Sequence, residues 1–377
     1  MAGRPAGLIG PFAPCPAALR FFLLSDFHPH TRRMLSRVAD NLYWMARSIE
    51  RAENLARLMQ ASTELLLDSE TLGSRYLNDY WDPILIATAM EEHFRELYPN
   101  GTAADVGPFV TLNEENPHSI TMCLRDARES ARTVRDQISD EMWTELNDLF
   151  LFITSRATNS LFQRAPQNVY DRIIQGSLLF HGITDATLAR TEGWQFIQLG
   201  KYLERADKTS RFLDIRVHGG PDGTSLDSIQ WTSILRSASA FGTYRIEVGG
   251  EPTAEGVIDL LVFSMDFPRS IRFCVREIDN LLHRISGSPA GTYCNTAERE
   301  AGRLLATLNF NGNGEILERG LHDYMDDVQK VLNTIGQSIF ETYVLLPQDQ
   351  LRLTFIPSSE QQQLRWQVLQ QQQQQQQ

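Results

Sequence analysis

Between residues 34 and 68, apolar residues recur at alternating steps of four and three: Val38, Leu42, Met45, Ile49, Ala52, Ala56 and Met59. That spacing places them on one stripe of an α-helix. No proline or glycine interrupts the segment before Gly73, so a single long helix is predicted from Met34 to about Asp68. Similar patterning predicts helices over 80–98, 117–138, 140–156, 168–182, 190–215, 227–247, 268–286, 296–309 and 319–344. Turn-forming stretches divide them, such as Tyr98-Pro99-Asn100-Gly101 and His218-Gly219-Gly220-Pro221-Asp222-Gly223. Strand-like alternation is nowhere sustained, and the fold class expected is all-α.

Laid on itself, the chain matches in four places in the same order. Residues 47–53 match 201–207 at an offset of 154, with Arg57 falling on Arg211. Trp81 to Leu85 matches Trp231 to Leu235 at 150, Pro117 to Cys123 matches Pro268 to Cys274 at 151, and Ile138-Ser139 matches Ile285-Ser286 at 147. The apolar seam survives in the second copy as Phe196, Leu199, Leu203, Ala206, Ser210 and Leu213. A helical bundle formed by an internal duplication of about 150 residues is therefore expected. Repeat one would span 34–169, repeat two 170–346, and 157–169 would be a short linker. Both copies would pack as one continuous bundle.

The two ends lack this periodicity. Residues 1–33 are rich in Pro, Ala and Gly, with Phe21-Phe22-Leu23-Leu24 as an apolar patch too short for a secretory signal. A flexible N-terminal extension is expected there. The Gln-rich segment 347–377, which finishes in eight glutamines, offers no apolar face and is expected to be a disordered tail.

The formal net charge of -12 argues against a nucleic-acid binder, which needs a basic stripe. No apolar run approaches the roughly 18 residues of a membrane span. The four cysteines form no CxxC pair and no zinc-spaced Cys/His cluster, so a reducing, cytoplasmic location is expected. Only Lys201, Lys208 and Lys330 among the 35 basic residues are lysine. Arginine favours fixed, bidentate contacts to carboxylates.

The chemistry-bearing candidates are Glu50, Arg51, Glu204 and Arg205. Neighbours on a helix diverge by about 100°, so Glu and Arg within each pair cannot face one another. Glu50 and Glu204 adjoin the core positions 49 and 203 and need partners from another helix. Reciprocal pairing across the leading helices is predicted: Glu50 with Arg205 or Arg211, Glu204 with Arg51 or Arg57. The helices would meet at Ala52 and Ala206, where small side chains allow close approach. Glu53–Arg57 and Asp207–Arg211 read as ordinary surface pairs at i,i+4. Two readings of the four candidates stay open: a structural ion-pair set, or a ligand or catalytic site.

No metal is expected, because the two Glu-x-x-His motifs of a di-metal bundle are not present and no HExxH occurs. No cofactor is expected either, in the absence of a Walker A loop or GxGxxG. Asn311-Gly312-Asn313-Gly314 reads as a turn. Cys123 and Cys274, flanked by apolar residues, read as core-filling thiols. Ser119 and Ser270 read as first-turn residues.

Met34-Leu35-Ser36-Arg37-Val38-Ala39-Asp40-Asn41-Leu42-Tyr43-Trp44, Glu50-Arg51, Glu192-Gly193-Trp194 and Asp266-Phe267-Pro268-Arg269-Ser270 together resemble the bacterial alpha-E domain family, from Met34 to about Tyr343. That resemblance implies a helical domain with a Glu-Arg motif and no established activity. It also implies a setting beside ATP-grasp-type amide ligases, with transglutaminase-like proteases as further neighbours. The function expected from it is a helical partner or substrate-presenting protein for such a ligase in peptide-like amide synthesis or processing. The alternative is an enzyme using its Glu/Arg pairs for acid/base chemistry on a peptide-like substrate.

Overall fold

The computed structural model describes residues 34–69, 81–218 and 227–345; the two ends, read above as extension and tail, lie outside them. Every regular element among the described residues is helical. Helix α1 (Ser36–Ser69) is buried on far more than one stripe: besides the predicted seam, of which Val38 is only half-buried, Tyr43, Ala46, Glu50, Glu53, Asn54 and Leu55 are all buried. A helix sheathed on several sides sits at the centre of a bundle. Of comparable length is α9 (Glu192–His218), with Phe196, Ile197, Leu199, Leu203, Ala206 and Leu213 buried.

Between them run α2 (Trp81–Ala87), α3 (Glu91–Leu97), α4 (Ala103–Thr111), α5 (Ile120–Thr133), α6 (Asp140–Ile153), α7 (Arg156–Arg164) and α8 (Pro166–Thr187). After α9 come α10 (Asp227–Ser237), α11 (Phe241–Glu247) and α12 (Ala254–Ile258), the last running into a π-helical turn at Asp259–Phe263. The chain continues as α13 (Ile271–Ser286), α14 (Thr296–Phe310), α15 (Asn313–Arg319) and α16 (Leu321–Phe340), with a second π-helical turn at Glu341–Leu345.

The two central helices have matching surroundings. Helix α1 packs on α5, α8 and α10, and α9 packs on α13, α16 and α2. The outer helices follow suit, α6 bridging α5 and α8 while α14 bridges α13 and α16. Helices α5 and α13 each begin at a serine, Ser119 or Ser270, whose hydroxyl accepts the backbone N–H of Met122 or Phe273.

Several predicted boundaries need correction. The helices expected over 80–98 and 227–247 are each broken, at Ala89 (φ 58°) and Ser239 (φ 55°). These left-handed residues let Met90 N–H reach the Leu85 carbonyl (2.8 Å) and Ala240 N–H reach that of Leu235 (2.7 Å). Such six-to-one closures normally use glycine, and none marks these sites. The expected linker 157–169 is instead mostly helix: Ser155 caps α7 by accepting from Thr158 N–H, and Pro166 opens α8. Helix α4, missed because Gly107 and Pro108 lie inside it, is held by a capping box between Thr102 and Asp105. The Asn311–Gly314 turn runs into α15, where Glu315 accepts from Gly312 N–H. No helix among the described residues is long and apolar enough to cross a membrane.

Candidate functional site

Where α1 and α9 meet, their backbones come so close that a Cβ on Gly200 would lie 2.3 Å from the Tyr43 carbonyl oxygen. The small-residue contact expected at Ala52 and Ala206 is buried at both residues, but the approach that demands a missing side chain is at Gly200. Facing residues rise together along both helices, from the Tyr43 backbone against Gly200 to the Arg51 side chain against Glu204. The two helices therefore run in the same direction.

This contact brings together all four residues singled out from the sequence. Arg205 Nε and Nη2 donate to Glu50 Oε1 and Oε2, both at 2.8 Å. Arg51 Nε and Nη2 donate to Glu204 Oε1 and Oε2 at 2.6 and 3.0 Å. Each glutamate is completely buried, and each takes a forked, bidentate bond from the other helix. Arg57 and Arg211, the other partners considered, instead close onto Glu53 (2.8 Å) and Asp207 (2.9 Å) on their own helices. Those pairs are not surface pairs, since Glu53 and Asp207 are both buried.

Further residues complete the cluster. Arg269, just before the Ser270 cap, reaches Glu50 Oε1 (3.0 Å), Asn54 Oδ1 (2.7 Å) and Glu53. Ser177 of α8 donates to Glu53 Oε2 at 2.7 Å. Around Glu204, Arg47 Nε donates at 2.8 Å and Lys208 Nζ stands 3.4 Å away. Seven cations (Arg47, Arg51, Arg57, Arg205, Lys208, Arg211, Arg269) are thus bonded to four carboxylates (Glu50, Glu53, Glu204, Asp207). The acidic protein concentrates a positive excess at its centre.

Burial alone would raise the glutamates' affinity for protons. For Glu50, Arg205 and Arg269 outweigh that effect and hold the carboxyl well below its ordinary range. Arg51, Lys208 and Arg47 do the same for Glu204, and Lys208 and Arg211 bring Asp207 down to about 2. Held ionised, and in Glu50 and Glu204 saturated with donors, these groups are poorly matched to proton transfer near neutrality. Burial pushes the Cys123 and Cys274 thiols up to about 12, as expected for core-filling side chains.

His181 of α8 is buried, with Nε2 3.2 Å from Glu50 Oε2 but out of hydrogen-bond alignment, and Nδ1 without a partner. Burial lowers its proton affinity. Glu50, Glu53 and His181 lie close enough to share an ion. Their carboxylate oxygens are already committed to Arg205, Arg269, Arg57 and Ser177, so the donor set does not favour a cation. Neither His181 nor Arg269 was singled out from the sequence. A signal for the first existed, since Ser177, His181 and Thr184 interrupt the apolar face of α8 at steps of four and three.

Lys201 stands 154 positions after Arg47, is 6% exposed, and has its Nζ 4.5 Å from the Tyr202 ring centroid. Burial and then the nearby Arg205 lower it from 10.5 to about 8. Between those values the folded chain has released a proton that the unfolded chain holds, so stability rises with pH through this window. The buried thiols, raised from 9.0 to about 12, work in the opposite direction above pH 9. Comparison with a variant isolates the lysine. Lys201→Met is expected to be more stable than wild type at pH 7 by about 1–3 kcal/mol, with the advantage shrinking as pH rises from 8 to 10 in denaturant titrations. A difference that stays constant across that range contradicts the assignment.

Residues 34–344 match the model of Alpha-E, described as a predicted alpha-helical domain with a conserved ER motif. The chain belongs to the Alpha-E family. Glu50-Arg51 and Glu204-Arg205 are two of the chain's four Glu-Arg pairs, and these two exchange partners across α1 and α9. The chain is 20% identical over 337 residues to uncharacterised proteins of Mycobacterium bovis and Mycobacterium tuberculosis, covering 84% of this Alpha-E chain and 37% of each relative. It therefore spans little more than a third of the length of the curated relatives it matches. No solved structure matches the chain.

Proposed function

We propose that this Alpha-E protein is a helical partner that presents a peptide-like substrate to an ATP-grasp-type amide ligase, and is not itself the catalyst. The observation carrying this reading is the saturation of the Glu-Arg cluster: Glu50 and Glu204 are buried, ionised and bidentately paired. A general acid or base needs a proton affinity near working pH and an open path to substrate. That disfavours the alternative, acid/base catalysis by the Glu/Arg pairs. The ligase as partner, with a transglutaminase-like protease as a second, rests on the family resemblance. The relatives' greater length, of which the matched segment covers 37%, supports a module that works beside another.

The same reading takes the chain as two copies of one unit. Supporting it, six buried positions of α8 (Val169, Tyr170, Ile173, Ser177, Phe180, Thr184) recur in α16 as Tyr324, Met325, Val328, Leu332, Ile335 and Ile339, each 155 positions later. The crossed packing of α2 on α9 and α10 on α1 makes each copy incomplete alone, in keeping with one intertwined bundle in a cytoplasmic protein.

The test is co-expression with an ATP-grasp-type ligase of the kind the family resemblance implies as a neighbour. A stable complex is expected, together with ligase turnover that depends on adding this chain, while the chain alone leaves ATP intact. ATP hydrolysis by the isolated chain, or full ligase activity without it, refutes the proposal.

A further inference from the structure

The matched helices α8 and α16 differ at one position that shapes the space beside the charge cluster. His181 of α8 is set against Glu50; its counterpart 155 positions later in α16 is Gly336. A Cβ built on Gly336 would lie 3.2 Å from Leu203, 3.6 Å from the Tyr43 hydroxyl and 3.8 Å from Arg47 Nη1. Where one half carries an imidazole, the other opens a cavity of about 460 Å³ between α1, α9 and α16. That lies within the size range of small-molecule sites.

The lining is amphipathic. Phe196, Leu332, Ile339 and Phe340 form an apolar wall, with the Trp44 ring, 40% exposed, also on the boundary. Arg47 is fixed there by its Nε bond to Glu204 (2.8 Å), its Nη1 bond to the Tyr43 hydroxyl (3.3 Å) and its stacking over Trp44 (4.8 Å). Its Nη2 makes no hydrogen bond among the described residues. Two carboxylates, Asp40 and Asp207, share the lining. Asp207 is 6% exposed, and its Oδ1 is buried without a hydrogen-bond partner. Such an acceptor calls for a donor.

We propose that this cavity binds an α-amino-acid zwitterion with an apolar side chain, one or two residues long. Its carboxylate would meet the unused Nη2 edge of Arg47, its ammonium would meet the unpartnered Oδ1 of Asp207, and its side chain would lie on the Phe196–Phe340 wall. A simple anion would leave the two aspartates opposed, and a simple cation would oppose Arg47. The zwitterion answers both charges. The inference concerns binding by this chain alone, so it stands or falls separately from the ligase partnership.

Isothermal titration of the full chain with L-phenylalanine and with L-leucyl-L-phenylalanine tests it and distinguishes a free amino acid from a dipeptide. Saturable binding of at least one is expected, weakened tenfold or more when the amine is acetylated and likewise when the carboxylate is amidated. Gly336→Leu, which fills the cavity, should abolish binding while retaining cooperative unfolding. If that variant does not fold, Arg47→Gln serves instead, since Glu204 keeps Arg51 and Lys208; its affinity should fall tenfold or more. No binding at millimolar concentration, equal binding of blocked and free forms, or undiminished binding by the folded variant overturns the proposal.

Discussion

Glu204→Ala is expected to destabilise the protein by about 3–5 kcal/mol, the range for removing one partner of a buried ion pair. The substitution leaves Arg47 and Arg51 without their carboxylate and Lys208 with only Asp207. Glu50→Ala should have an effect of the same order, since Arg205 loses its carboxylate partner while Arg269 retains Glu53. Both losses come chiefly from stranding cations that are buried, as Arg205 is, or largely so, as Arg47, Arg51 and Lys208 are, not from forfeiting the bonds themselves. Replacing Glu50 and Arg205 together by methionine should therefore destabilise by less than the sum of the two single changes. Urea titrations of the four proteins measure this coupling, and strict additivity would contradict the bidentate pairing. The acid limb should follow. Because the folded glutamates sit below their unfolded value of 4.5, their contribution is complete above it and is lost as pH falls further.

The second large effect belongs to a residue without a side chain. Gly200→Ala places a Cβ 2.3 Å from the Tyr43 carbonyl oxygen, and backbone cannot yield as a flexible side chain can. In an exposed helix the same change would stabilise by up to about 1 kcal/mol. Here the two central helices must separate, and a loss of about 3 kcal/mol or more is expected from overpacking. A thermal midpoint equal to or above wild type would show that α1 and α9 do not touch there.

How much of this was legible follows from the range of each interaction. The α1 seam, a local 3.6-residue period, was readable residue by residue. The exchange was readable down to two arginines for each glutamate, Arg205 or Arg211 for Glu50 and Arg51 or Arg57 for Glu204, because adjacent charges diverge on a helix and each needs an outside partner; the structure selects Arg205 and Arg51. The breaks at Ala89 and Ser239 were not, since left-handed caps made from alanine and serine leave no glycine to mark them. From the sequence Glu53 reads as a surface residue, because its i,i+4 partner Arg57 satisfies it locally. Only the approach of Arg269, 216 residues away, together with Ser177 of α8, reveals its burial. Gly200 belongs to the same class: its role depends on which backbone lies opposite, and no local pattern encodes that.

The central claim is that the Glu-Arg exchange holds two helices together while the chain serves a ligase, and is not the reaction centre. The most direct measurement is turnover of the ATP-grasp-type ligase proposed as partner, supplied with the Glu50→Met/Arg205→Met variant, alongside its helicity and unfolding. The account predicts that a variant which folds cooperatively supports turnover at a level close to wild type. A folded variant that binds the ligase yet supports no turnover would place Glu50 and Arg205 in the chemistry and contradict it.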